Sequence, residues 1–137
     1  MSRLLRASHE LVDALVASSR RERTAMIMLL AYACVWTLYA IISKCTKDLH
    51  FDMAEILEWS QELDWGYAKH PPFAPWLVRA WFALVPFTDG TYYLLASIAA
   101  TVSLWFAWKV AGLYLDPQKR VLGLVMLTWS RFIIFSR

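Results

Sequence analysis

Cysteine is nearly absent: the chain has two, Cys34 and Cys45. They lie roughly 16 Å apart along one helical run. A disulfide needs Cα atoms within about 7 Å, so these two cannot bridge each other. No small-x-small site follows the first apolar run, which is also too long for a cleaved signal peptide. Lys44 stands where a lipoprotein cysteine needs a small residue before it, so Cys45 is a poor lipid-anchor site. The chain shows no internal repeat and no low-complexity segment. Its net charge is only +3, and its basic residues form no stripe interleaved with aromatics, which excludes a nucleic-acid partner.

What the chain has in excess is apolar residues: 59% of its 137 positions, against about 45–50% in a soluble domain. They are gathered into four runs, Thr24–Ser43, Pro71–Phe87, Thr91–Leu115 and Val121–Phe135. A hydrocarbon core takes about 20 apolar residues, so the first and third are long enough and the other two are marginal. The charges are placed unevenly. Arg3, Arg6, Arg20, Arg21 and Arg23 precede the first run, and Asp48, Asp52, Glu55, Glu58, Glu62 and Asp64 follow it. The positive-inside rule then puts the N-terminus in the cytoplasm and residues 44–70 outside. With a span at each run, Lys119 and Arg120 would lie outside, against that rule.

The fold expected is all-α and integral to a membrane, with three to four transmembrane helices. Residues 1–23 form a basic cytoplasmic segment. Within it, Leu4, Leu5, Leu11, Val12, Leu15 and Val16 share one helical face, which suits an interfacial helix or a frayed tail. Residues 24–43 are the first transmembrane helix. Residues 44–70 are an acidic outer loop, with an amphipathic helix over 53–63 that places Met53, Ile56 and Leu57 opposite Glu55, Glu58 and Glu62. Residues 71–135 hold two to three further transmembrane helices.

Chemistry-bearing residues concentrate in the outer loop. Asp52 and Glu55 stand three apart, on one side of a helix. Such a pair can supply a general base or hold a divalent cation through oxygen ligands. The same Asp-x-x-Glu is also a capping box, with Asp52 at the N-cap. Lys69 can meet a phosphate or snorkel to headgroups. His70, before Pro71-Pro72, can bind a phosphate or move a proton, or simply sit at the interface. Trp59, Trp65, Tyr67, Trp76 and Trp81 can form an interfacial belt or stack on a sugar ring. Arg79 falls inside an apolar run, where it needs an acid, a carbonyl or water. Lys109 is expected to snorkel at the outer end of its helix.

The stretch FDMAEILEWSQELDWGYAKHPPFAPWLVRAWFALVP, continued by TYYLLA and LDPQKRVLGLVML, resembles the N-terminal part of membrane glycosyltransferases of the C-type fold. Within them it is most similar to bacterial relatives of dolichyl-phosphate-mannose protein mannosyltransferases. The resemblance rests on an Asp-x-x-Glu, a Trp, a Gly-Tyr and a His-Pro-Pro in that order after a first apolar run. It implies a bacterial inner-membrane enzyme that moves a sugar from a polyprenyl-phosphate donor to an acceptor on the outer face. By motif position Asp52 would be the base or metal-linked ligand and Glu55 its helper, with Tyr67, Lys69 and His70 on the substrate side. Sugar, acceptor and metal dependence stay open.

The resemblance stops after Thr128. The family continues with Leu-Val-Pro-Phe-Tyr-Asn-Phe, whereas this chain reads Trp129-Ser130-Arg131-Phe132-Ile133-Ile134-Phe135. With chosen codons, tgg tcc cgt ttt ata att ttt becomes ctg gtc ccg ttt tat aat ttt when one c is placed in front, and that encodes the family string. The expectation is an out-of-frame ending from Trp129 and a fragment with no transferase activity alone. The competing reading is a small helical membrane protein that works by binding partner helices.

Overall fold

The computed structural model describes residues 6, 7, 9, 10, 13, 14, 17, 21–44, 49–67, 69, 71–130 and the backbone of 131–135. The expected N-terminal helix over 4–16 lies largely outside them, although 6, 7, 9, 10, 13 and 14 are helical. Cys45 and His70 also lie outside.

Among the described residues all regular structure is helical, as expected: α1 (Arg21–Lys44), α2 (Phe51–Trp59), α3 (Phe73–Leu84), α4 (Asp89–Tyr114) and α5 (Pro117–Phe135). Two of these, α1 and α4, are long and apolar enough to cross a membrane. The span expected over 71–87 is cut short. α3 has 12 residues and rises about 18 Å, well below the roughly 30 Å of a hydrocarbon core. Pro86 sets its end: Val85 is extended at φ −124°, ψ 138°, because a residue before proline avoids the α region. Thr88 then caps the start of α4. Its Oγ1 accepts the Thr91 N–H at 3.1 Å, and Thr91 Oγ1 accepts the Thr88 N–H at 3.1 Å. This reciprocal pair is a capping box built from two threonines. Asp89 in the first turn complements the helix dipole, and Pro117 occupies the first position of α5, where its missing N–H costs nothing.

The chain divides into two compact units, residues 1–34 with 99–137, and residues 35–98. In the first, Ala25, Leu29, Trp108, Val121 and Leu124 form the core, flanked by Met28, Leu104 and Trp105. Charge ties the helix ends together. Glu22 receives Lys109 at 3.1 Å and Arg120 at 3.0 Å. Arg120 is 6% exposed, donates from Nε to the Trp108 carbonyl at 2.8 Å, and lies 3.8 Å from the Trp108 ring centroid. So Lys109 does not snorkel freely, and Arg120 is not a loop charge. The start of α1 lies beside the end of α4 and the start of α5. Arg120 therefore lies at the same end of this unit as Arg21 and Arg23, which flank Glu22.

The second unit packs Val78, Tyr92 and Leu95 with Leu49, Met53, Ile56, Leu57, Trp81 and Phe82. The apolar face of α2 expected from Met53, Ile56 and Leu57 is the face that packs. The helix itself runs earlier than expected, Phe51–Trp59 rather than 53–63. Tyr92 Oη donates to the Met53 carbonyl at 2.9 Å, and Trp81 Nε1 to the Thr91 carbonyl at 3.1 Å.

Gly112 makes room for the buried guanidinium: a Cβ there would sit 2.7 Å from Arg120 Cζ. That arginine is held by a ring face, a carbonyl and a carboxylate, so it cannot swing aside without breaking contacts. Gly112→Ala is expected to destabilise the protein by about 1–3 kcal/mol. Gly123→Ala, where a Cβ meets nothing within 4 Å, should be near neutral. Thermal unfolding in one detergent, followed by circular dichroism, measures both.

Candidate functional site

The candidate site is the acidic segment, α2 and the loop that follows it. His50 begins it. His50 is the N-cap of α2, and its Nδ1 accepts the Asp52 N–H at 3.4 Å. This overturns the capping-box reading, because Asp52 is not the cap: it sits one position inside the first turn. Its carboxylate is 71% exposed and lies 3.6 Å from His50 Nδ1. The positive end of the helix dipole favours a carboxylate there.

Glu55 does not reach back to the helix start. It is 16% exposed and binds Lys69 Nζ at 2.8 Å across the loop. Lys69 also lies 5.8 Å from the Phe51 ring centroid. The hydrogen bond to Glu55, its charge, and then the charge of Asp52 hold the Lys69 ammonium above its ordinary 10.5. The two carboxylates are thus unlike: one bound to a cation, one open to solvent. Among the described residues no group of three or more metal-capable side chains occurs. Lys69 thus occupies the Glu55 carboxylate oxygen that a cation shared with Asp52 would need.

Tyr67 shapes the loop. Its hydroxyl donates to the Glu62 carbonyl and accepts the Asp64 N–H at 3.2 Å, and its ring stacks on Trp59 at 5.4 Å. Trp76 donates from Nε1 to the Asp64 carbonyl at 3.1 Å and meets Trp65 edge-on at 5.4 Å. Glu58, Glu62 and Asp64 are exposed, as a solvated face should be. Arg79, marked by its place in an apolar run, has a structural answer. It reaches from α3 to the carbonyls of Ser60 at 3.2 Å and Gln61 at 2.7 Å, just past the end of α2. A cation there satisfies carbonyls left over by the helix and complements its dipole.

The structure thus joins Glu55 to Lys69, places Asp52 close enough to feel that pair, and leaves Tyr67 as a loop brace. His50 was missed because histidine is not among the usual N-cap residues, whereas Asp-x-x-Glu three residues on is a familiar start signal.

The sign of the Lys69 shift fixes its pH dependence. A base whose folded pKa is raised contributes stability that is fully present below its ordinary value and is lost as pH rises through the raised one. The Glu55–Lys69 bridge should therefore persist through neutral pH and open only in alkali. Glu55→Gln should return Lys69 toward 10.5, read from its side-chain NMR titration; an unchanged midpoint would show that the bridge is not formed in solution.

No family model matches the sequence, and comparison with curated proteins and with solved structures finds no match either.

Proposed function

We propose that this chain is the N-terminal part of a membrane glycosyltransferase that moves a sugar from a polyprenyl-phosphate donor to an acceptor on the outer face of a bacterial inner membrane. α1, α4 and α5 are its membrane helices, the N-terminus is cytoplasmic, and residues 44–88, with α2 and the short α3, lie outside between α1 and α4. Exposure of the apolar helices supports the membrane part. Only 17% of the apolar window of α1 and 22% of that of α4 is buried, whereas a core helix of a soluble protein would be mostly buried. The shared carboxylate of Glu22 supports the topology, since it puts the start of α1 and the end of α4 on one side.

The observation that carries the chemistry is the difference between the two outer carboxylates. Glu55 is tied to Lys69, and Asp52 stays open to solvent. In this reading Asp52 takes the proton of an acceptor hydroxyl, whose oxygen attacks the anomeric carbon of the donor. The bond from that carbon to the phosphate oxygen breaks, polyprenyl phosphate leaves, and the anomeric configuration inverts. Glu55 and Lys69 hold the loop, and His70 stands at the donor side by resemblance.

Two experiments test this. With Cys34 and Cys45 replaced, single cysteines at Glu58 and at Lys119 are exposed to a membrane-impermeant thiol reagent. Position 58 should react in intact cells, and position 119 only after permeabilisation; labelling of both from outside would restore a crossing at α3 and refute this topology. The nucleotide sequence past codon 128 is then read in all frames. In a frame that continues with apolar spans, Asp52→Asn should lower sugar transfer about 10²-fold or more with helical content unchanged. Full turnover in that variant would remove Asp52 from the reaction.

A further inference from the structure

Three bonds converge on His50 at the start of α2. Its carbonyl accepts the N–H groups of Met53 at 2.9 Å and Ala54 at 3.0 Å, and its ring Nδ1 accepts that of Asp52 at 3.4 Å. The residue is extended, at φ −56° and ψ 140°, as an N-cap must be. Histidine can fill this place because Nδ1 is bonded to Cγ, where asparagine carries its amide oxygen. At that one atom the ring imitates asparagine, a preferred cap.

One ring nitrogen cannot serve both of its neighbours. Neutral imidazole carries one N–H and one lone pair. With the Nδ1 lone pair turned to the Asp52 N–H, the ring proton is on Nε2. Asp52 Oδ2 lies 3.6 Å from the same Nδ1, beyond hydrogen-bond reach, and takes no proton from it. Lys69 is bound to Glu55 instead. Among the described residues no side chain donates a hydrogen bond to the Asp52 carboxylate, which is 71% exposed. Met53, the next residue, packs with Tyr92 and gives it a carbonyl.

We propose that His50 is the positioning residue of Asp52, acting as a neutral ring protonated on Nε2. The inference rests on the reading of Asp52 as the base given above. A general base needs a fixed place and an unoccupied lone pair. The cap supplies the first, because it sets residue 52 in the first turn of α2 with its carboxylate in solvent. The tautomer preserves the second. A ring protonated on both nitrogens would fail twice: it has no lone pair for the cap, and it turns an N–H toward the oxygen that has to take the acceptor's proton. The ring acts through the backbone of Asp52 and not on the sugar or the phosphate.

The test has two arms. In the full chain in detergent micelles, with 15N-labelled histidine at about pH 8, above the usual imidazole range, Nδ1 of His50 should show the shift of an unprotonated nitrogen. The signal is assigned by its loss in His50→Asn, and a proton on Nδ1 overturns the proposal. The second arm uses the reading frame that carries sugar transfer. His50→Asn keeps an acceptor at the place of Nδ1, His50→Gln carries its amide at the place of Nε2, and His50→Ala has neither. His50→Ala and His50→Gln should lower kcat about tenfold or more with KM unchanged, and His50→Asn should restore most of that loss. Rescue by His50→Gln in place of His50→Asn would put the role on Nε2 and overturn the proposal. So would equal rates, or equal loss, in all three variants. If the unaltered protein transfers no sugar in any frame, the reading of Asp52 as a base falls and this role falls with it; transfer at full rate with Nδ1 protonated removes the role alone.

Discussion

The first unit depends on one carboxylate serving two cations. Glu22 is half-exposed at the start of α1, yet it holds the buried Arg120 and the half-exposed Lys109 at the far end of the sequence. Neither apolar packing nor helix propensity would put those three helix ends together. The core of Ala25, Leu29, Trp108, Val121 and Leu124 is small, and residues of that kind pack in many registers. A guanidinium stacked on Trp108, bonded to its carbonyl and fitted against Gly112 accepts only one. The polar cluster selects the arrangement, and the apolar contacts fill it in.

The acidic segment of α2 and its loop uses charge differently. Its ion pair is exposed, and an exposed pair contributes little stability. Its shape comes instead from side chains that hold backbone carbonyls: Arg79 on Ser60 and Gln61, Trp76 on Asp64, Tyr67 on Glu62, Tyr92 on Met53. Aromatic and arginine side chains supply the donors. The aromatics read from the sequence as a belt or sugar platform thus have a further task, which is bracing the loop.

Much of the helical plan was legible. Long apolar runs marked α1 and α4, and the spacing of Met53, Ile56 and Leu57 marked the packing face of α2. What hydropathy could not show was that the run from Pro71 to Phe87 is interrupted. Pro72 caps α3 without a side-chain bond and Pro86 stops it, so an apolar run became a short helix. The site was legible in part. Asp52, Glu55 and Lys69 were named, but their pairing depends on a loop closure 14 residues long. The capping role of His50 depends on an angle at residue 50 that no spacing rule encodes.

The Glu22–Arg120 contact joins residues 98 apart in the chain, whereas the contacts that shape the acidic segment span 39 positions or fewer. Contacts far apart in sequence form late, because the intervening chain must first be closed into a loop. During synthesis the acidic segment can reach its shape while the ribosome is still making α5. Glu22 meanwhile waits with one cation or none, and the order of assembly runs from the middle of the chain outward to its ends.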